Sequence, residues 1–397
     1  MKKYKRIFLI VMDSLGVGAM KDAHKFNDEG SNTFVHVSNS VEGLNIPTLN
    51  KLGINDIDSN IKGTNKVSHP NSYCARMNEL SNGKDTMTGH WEMMGVLTTI
   101  PFKTFTDTGF PQSLIDELSL KTGKKYIGNI SASGTQIIKD LGPRHIETGE
   151  VILYTSADSV LQLCAHEDVV SVDELYHLCE VAREICLKEE YKVGRVIARP
   201  FIGDNPSNFK RTPRRHDYAL NPSSKTYMEL LKDSGNEVIC VGKINDIFNG
   251  VGVSETHKTI SNNDGMNKTI SIAQKDFKGL CFVNLVEFDS EYGHRRDPEG
   301  YARCIEEFDE DLARLIENLN DDDLLIITAD HGNDPTFEGS DHTREQVPLI
   351  AYSKQINKGK LLEERQSFAD IGRSIIYNFG IEPFNFQIGN VITELFE

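Results

Sequence analysis

The sequence predicts an α/β fold: a mostly parallel sheet flanked by helices, interrupted by a separate α+β segment. Residues 7–12, 280–286 and 324–327 are apolar runs without polar alternation, the pattern of strands buried on both faces of a parallel sheet. Helical patterns separate them. Between residues 101 and 220 the character changes to short apolar runs and one long helical stretch, and the α/β alternation resumes after Pro222. A chain of 397 residues is long for one core. Two domains are therefore expected, one of residues 1–100 and 222–397, the other of residues 101–221.

Composition narrows the class of function. Hydrophobic residues make up 38% and charged residues 26%, as in ordinary globular proteins. No apolar run approaches the roughly 20 residues that cross a bilayer, and Asp13 ends the first run too early for a signal peptide. No membrane association is expected. The 43 Lys and Arg against 59 Asp and Glu give a formal charge of -16, which argues against a nucleic-acid surface. Seven cysteines show neither a CxxC pair nor a finger spacing, so free thiols and a cytoplasmic location are expected.

In chain order, residues 7–12 form a buried strand with Asp13 at its end, and Ser14, Gly16 and Gly18 form a tight turn. An Asp in that place serves as a metal ligand or as a helix cap. Residues 82–95, NGKDTMTGHWEMMG, pass from turn formers into a helix that carries the single Trp91. A hydroxyl at such a helix start sees backbone N–H groups and the positive end of the dipole, where a phosphoryl group is well held. Thr86 and Thr88 are both placed for this, and a plain N-cap is the alternative for either.

The middle segment offers strands at residues 125–130, 151–155 and 193–198 and a helix over residues 172–190. Its cluster Lys210, Arg211, Arg214, Arg215 and His216 is either a solvated face or, in so acidic a chain, a site that steers a sugar phosphate. Beyond it come a helix near residues 226–234, a strand over 237–242 followed by Lys243, and the buried run 280–286 followed by Asp289 and His294. A helix over 298–319 has Pro298 at its start. The strand 324–327 then delivers Asp330 and His331, a loop carries Asp341 and His342, and residues 368–378 form a last helix.

Three of these pieces end predicted parallel strands, so Asp13, Asp289 with His294, and Asp330 with His331 would gather at one sheet edge, joined by His342. Imidazole and carboxylate together suit a divalent transition metal such as manganese or zinc. Six such ligands are enough for two ions about 3.5 to 4 Å apart, which stabilise a transferring phosphoryl group. The alternative for the last stretch is a histidine at a strand end beside a solvated acidic loop.

Residues 8–18 (FLIVMDSLGVG), 82–95, 127–138 (IGNISASGTQII), 154–160 (YTSADSV), 199–203 with 214–220, 242–248 (GKINDIF), 289–297, 328–335 (TADHGNDP) and 340–349 (SDHTREQVPL) together resemble the phosphopentomutase family of the alkaline phosphatase superfamily. The resemblance covers nearly the whole chain. It implies an alkaline phosphatase-like core with an inserted cap, and two manganese ions, one on Asp289, His294 and His342, the other on Asp13, Asp330 and His331. It implies that Thr86 is the residue phosphorylated between them, and that Ser156, Asp158, Arg195 and Lys243 contact substrate. The implied reaction interconverts ribose 1-phosphate, or deoxyribose 1-phosphate, with the 5-phosphate through a phosphothreonine and a sugar bisphosphate, which also serves as activator. Alternatives with the same centre are a cofactor-independent phosphoglycerate mutase, for which a serine nucleophile is expected, and a metal-dependent phosphatase. Residues 286–289 read Val-Glu-Phe-Asp where Val-Asp-Phe-Asp is expected, and residues 201–206 are polar and Pro-broken.

Overall fold

The computed structural model describes residues 3–69, 71–156 and 158–397; Ala157, inside the 154–160 motif, lies outside them. The chain divides into two compact units, one of Met1–Ile100 and Asn221–Glu397, the other of Pro101–Leu220. Strands β1 (Arg6–Met12) and β2 (Ser72–Met77) belong to the first unit. The second holds β3 (Tyr126–Ser131), β4 (Val151–Thr155), β5 (Val160–His166), β6 (Arg195–Ile202), β7 (Lys210–Arg211) and β8 (His216–Ala219). The first unit resumes with β9 (Glu237–Val241), β10 (Glu255–His257), β11 (Gly279–Leu285), β12 (Asp323–Thr328) and β13 (Val347–Tyr352).

The first unit is built on a seven-stranded sheet in the order β10-β9-β11-β1-β12-β13-β2. Strands β10 to β12 in that order are parallel, and β13 and β2 close one side antiparallel. The sheet is thus mostly parallel. Every residue of β1, β11 and β12 is buried, which explains their unbroken apolar runs. Met12 stands opposite Leu285 and Val11 opposite Thr328, so the three strands end level. The helix Pro298–Asn318 returns the chain from β11 to β12. Pro298 opens it, Asp297 caps it through Gly300 N at 2.9 Å, and Tyr301, Ile305, Phe308, Leu312 and Leu315 form its buried stripe.

The second unit has a six-stranded sheet, β3-β4-β5-β6-β7 with β8 also paired to β6. One face packs Leu153, Leu161, Leu163, Val196 and Ala198 against residues of the helices Gln112–Thr122 and Val172–Ile185. The other packs Ile127, Ile152, Tyr154 and Phe201 against Ile137 and Ile138 of the helix Gly134–Thr148. The helix expected over residues 172–190 ends at Ile185. Beyond Cys186, the exposed Leu187 and the charged run Lys188-Glu189-Glu190 offer nothing to continue its buried stripe. Among the described residues no helix is long and apolar enough to cross a membrane.

Candidate metal centre

Level strand ends bring the expected carboxylates together. Asp13 follows β1 directly, and its Oδ2 accepts from Asn284 Nδ2 at 2.8 Å while Oδ1 is buried without a hydrogen-bond partner. Asp330, two residues beyond β12, accepts from Ser14 N at 3.0 Å through Oδ1, and its Oδ2 is likewise without a hydrogen bond. His331 Nε2 lies 3.5 Å from Asp13 Oδ1 and 3.3 Å from Asp330 Oδ2. Ligand atoms of these three residues fall within 4.8 Å of one another. Two orphaned carboxylate oxygens and an imidazole nitrogen aimed at one point are the environment a divalent cation satisfies.

The second triad depends on an irregular helix. Five residues apart on an α-helix, two side chains diverge by about 140°. Residues Phe288–Gly293 instead form a π-turn, closed by His294 N donating to Asp289 O at 2.9 Å, and a π-turn brings positions five apart onto one side. His294 Nε2 accordingly lies 3.2 Å from Asp289 Oδ2. His342 Nε2 arrives from the loop at 3.1 Å from His294 Nε2 and 3.5 Å from Asp289 Oδ1. The rings of His331 and His342 stack with centroids 3.9 Å apart, so the two triads adjoin.

All three histidines share one orientation. Nδ1 of His294, His331 and His342 lies 2.9, 3.0 and 2.9 Å from the carbonyls of Ser340, Gly332 and Lys84. A carbonyl fixes the proton on Nδ1 and leaves the Nε2 lone pair facing the centre, the tautomer a metal requires. Burial and the nearby Asp330 and Asp289 carboxylates push Asp13 well above the usual carboxylate range. Burial acts against Asp289 and Asp330 too, yet His294 and His342 hold the first well below that range, and His331 and His90 lower the second. Burial depresses His331. The donor set fits two divalent ions.

Thr86 is the first residue of the helix Thr86–Met93, capped by Asp85, whose Oδ1 accepts from Met87 N and Thr88 N, both at 3.1 Å. Its half-buried hydroxyl lies 3.2 Å from His331 Nε2. Thr88 is fully buried and donates to Asp85 Oδ2 at 2.5 Å, which occupies it as part of the cap. The helix runs so close to the end of β12 that a Cβ on Gly89 would strike the Asp330 carbonyl.

The four expected substrate contacts are divided. Lys243 follows β9 in the first unit, and its charge acts on Asp13. Ser156, Asp158 and Arg195 lie in the second unit, where Arg195 Nη2 meets Asp158 Oδ2 at 3.0 Å and the Ser156 carbonyl accepts from Thr106. Sequence reasoning passed over the residues that hold the ligands in place. Asn333 Nδ2 donates to Asp289 Oδ1 at 2.7 Å and is itself held by Arg296 at 2.7 Å. His90, fully buried, lies 3.3 Å from Asp330 Oδ2. Arg344 pairs with Glu79 at 2.5 Å and takes the Gly83 carbonyl just before Thr86. Asn333, Arg296, His90 and Arg344 lie inside the motifs quoted above, and that was their only signal.

The sequence profile described as the Metalloenzyme superfamily matches residues 5–383. The chain is 55% identical over 394 residues to the phosphopentomutase of Clostridium botulinum and 54% identical over 396 residues to that of Clostridium tetani, with 99% of each chain covered in both cases. In structure it resembles the PH0037 protein of Pyrococcus horikoshii, with a TM-score of 0.50 at 14% identity over 97% of this chain and 100% of the other. That last likeness concerns the fold. Family profile, close relatives and a donor set made for divalent ions agree, and the chain belongs to the metalloenzyme superfamily and, within it, to the phosphopentomutases, metal-dependent isomerases that move a phosphoryl group.

Proposed function

We propose that the enzyme interconverts ribose 1-phosphate and ribose 5-phosphate, and their deoxyribose counterparts, with Thr86 as phosphoryl carrier. The observation that carries this reading is the Thr86 hydroxyl, half-buried at a helix start and 3.2 Å from His331 Nε2 beside both triads. Asp289, His294 and His342 would hold one ion, and Asp13, Asp330 and His331 the other; manganese suits the mixed set. When bound, divalent ions supply Lewis acidity, neutralising the transferring phosphoryl group and lowering the pKa of the threonine hydroxyl.

The rest is the work of side chains. Phosphorylated Thr86 gives its phosphoryl group to the free hydroxyl of the sugar phosphate, and a bisphosphate forms. The Thr86 oxygen then takes the other phosphoryl group back, so each P–O bond broken is matched by one formed. The positive end of the helix dipole at Thr86 favours the negative charge on the phosphoryl oxygens. Bisphosphate that escapes leaves Thr86 bare, which is why a sugar bisphosphate primes the cycle. Asp158 and Arg195 with Ser156 in the insert, and Lys243 beside Asp13, are assigned to the sugar and its second phosphate. The insert is assigned the work of a cap, excluding water that would hydrolyse the phosphothreonine. Seven free, buried cysteines accord with a reducing cytoplasm.

Tandem mass spectrometry of enzyme primed with a sugar bisphosphate, beside a coupled assay for ribose 5-phosphate, tests the reading. Phosphate on Thr86 with isomerisation is expected. Phosphate on Thr88, or on neither residue in an active preparation, overturns it. Hydrolysis of ribose 5-phosphate without isomerisation would make the enzyme a phosphatase.

A further inference from the structure

A fourth histidine lies at the centre, outside both triads. His90 is fully buried in the helix Thr86–Met93. Its Nδ1 lies 2.8 Å from the Thr86 carbonyl oxygen and 3.3 Å from Asp330 Oδ2, and its ring packs against Phe282 of β11 with centroids 5.8 Å apart. The carbonyl holds a proton on Nδ1, as at the three ligand histidines. Nε2 faces the Asn284 amide instead of a carboxylate, with Nδ2 at 3.5 Å, the outer limit of a hydrogen bond.

Asn284 is the more telling of the two. It is the one strongly polar side chain of β11, a strand buried along its whole length, and it is 1% exposed. An apolar residue would continue the strand, whereas a buried amide destabilises unless its donors and its acceptor are met. Only the donor side is met. Nδ2 donates to Asp13 Oδ2 at 2.8 Å, while Oδ1 is buried without a hydrogen-bond partner. Turning the amide over would set Oδ1 against the carboxylate, so Asp13 fixes its orientation. The amide has two N–H groups, one for Asp13 and one for His90. A chain of contacts thus runs from Asp13 through Asn284 and His90 to the backbone of Thr86. The other triad has its own support, Asn333 on Asp289.

We propose that Asn284 and His90 are positioning residues that serve one of the two ions and join it to the phosphoryl carrier. Asn284 holds Asp13 with Oδ1 free for the ion shared with Asp330 and His331, and His90 ties that ligand set to the Thr86 carbonyl. Both halves rest on the proposed function, the first on its metal ligands and the second on Thr86. A carboxylate with one oxygen bound to a neutral donor presents the other in a fixed direction, and orienting partners of this kind contribute about 10- to 100-fold in metal affinity. The contact with Thr86 acts on the rate, because a displaced carrier misses its line of attack while the sugar phosphate still binds.

The full chain, freed of metal by chelation, is titrated calorimetrically with manganese chloride as parent and as Asn284→Leu, with Asn284→Ala as a second variant should leucine not be accommodated. The parent is expected to take up two ions. The variant is expected to keep one at parental affinity and to weaken the other by at least about tenfold. Parental affinity for both ions overturns the hold on Asp13, and so does equal weakening of both, which would mark a general loosening of the fold. His90→Phe keeps an aromatic ring against Phe282 and loses the donor to Thr86. Its kcat is expected to fall by at least about tenfold while KM for ribose 5-phosphate stays within about twofold, and His90→Asn, whose Nδ2 takes the place of Nδ1, is expected to recover most of the loss. A parental kcat, a change confined to KM, or a loss that His90→Asn does not repair overturns the tie to Thr86. A parent that takes up no manganese overturns both readings. One that binds two ions but never carries phosphate on Thr86 overturns Thr86 as carrier and the second half with it, and the titration still decides the first. Variants that match a fully active parent overturn this inference alone.

Discussion

Asn333 shows how much of the centre rests on neutral side chains. Its amide ties Asp289 to Arg296, and such orienting partners typically contribute 10- to 100-fold in metal affinity. Asn333→Ala is expected to weaken manganese binding by about that factor while leaving the melting temperature of the metal-free chain nearly unchanged; equal affinity in a metal titration would deny it the role. Asp13, Asp289, Asp330 and their histidines were legible in sequence as candidate ligands because several carboxylates and imidazoles fall together at strand ends, where each one alone reads equally as a cap. Asn333, His90 and Asn284 were not, since an amide or a histidine inside a motif is equally at home as a cap or core donor.

Glu345 makes a second case at this scale. Wholly buried, it accepts from Gly18 N, Thr33 N, Thr33 Oγ1 and Thr343 Oγ1, and burial raises its pKa to about 7. A carboxyl whose pKa is higher in the folded chain binds more protons there. Its contribution is therefore fully present below the unfolded value near 4.5 and is lost as pH rises toward about 7, by on the order of 3 kcal/mol. Glu345→Gln, which does not titrate, is expected to gain stability relative to the parent between pH 5 and 8. A stability difference that stays constant over that range would refute the assignment.

Among the elements, the helix Thr86–Met93 is tightly constrained at both its start and its middle. Asp85 caps it and Gly89 lets it lie against the Asp330 carbonyl. Gly89→Ala favours an isolated helix by up to about 1 kcal/mol yet has no room here, so the helix must lift from the end of β12. Activity is expected to fall by two orders of magnitude or more, about 3 kcal/mol in the barrier, and the unfolding midpoint to drop. A variant with parental kcat would show that the close approach is dispensable. The buried strands were legible as elements because burial on both faces leaves unbroken apolar runs. The antiparallel strands β2 and β13 were not. Ser72–Met77 mixes polar and apolar residues, and Pro348 interrupts Val347–Tyr352, so neither gives a clean period. The π-turn at Phe288–Gly293 escaped too, because nothing in FDSEYG distinguishes it from an ordinary helical turn.

For the whole molecule, three carboxylates at one sheet edge, two of them buried, set the response to chelation. Removing metal leaves Asp13, Asp289 and Asp330 facing one another, and activity is expected to vanish and the melting temperature to fall, both recovering when manganese is restored. A chelated chain that melts at the parental temperature would argue that the centre holds no ion. Replacing Pro101–Leu220 by a short Gly/Ser linker separates the assigned labours. If the remaining unit folds, weak hydrolysis of ribose 5-phosphate without isomerisation is expected, whereas isomerisation by the shortened chain would place shielding and anchoring outside the insert. The change of pattern near residues 101 and 221 was visible in sequence. What the insert's six strands build was not, since their short runs fix no register.

The position of β1 has a consequence for how the chain comes into being. Its hydrogen-bonded neighbours are β11 and β12, some 270 and 320 residues further along, so β1 leaves the ribosome long before either partner exists. The insert's strands pair only with one another, and it is free to order while that first strand is still bare. Such distant pairings fold slowly and leave an apolar edge open to wrong association in the meantime. The sheet edge that gathers the proposed metal ligands is thus late to form, and that proposed set is incomplete until His342 has been made.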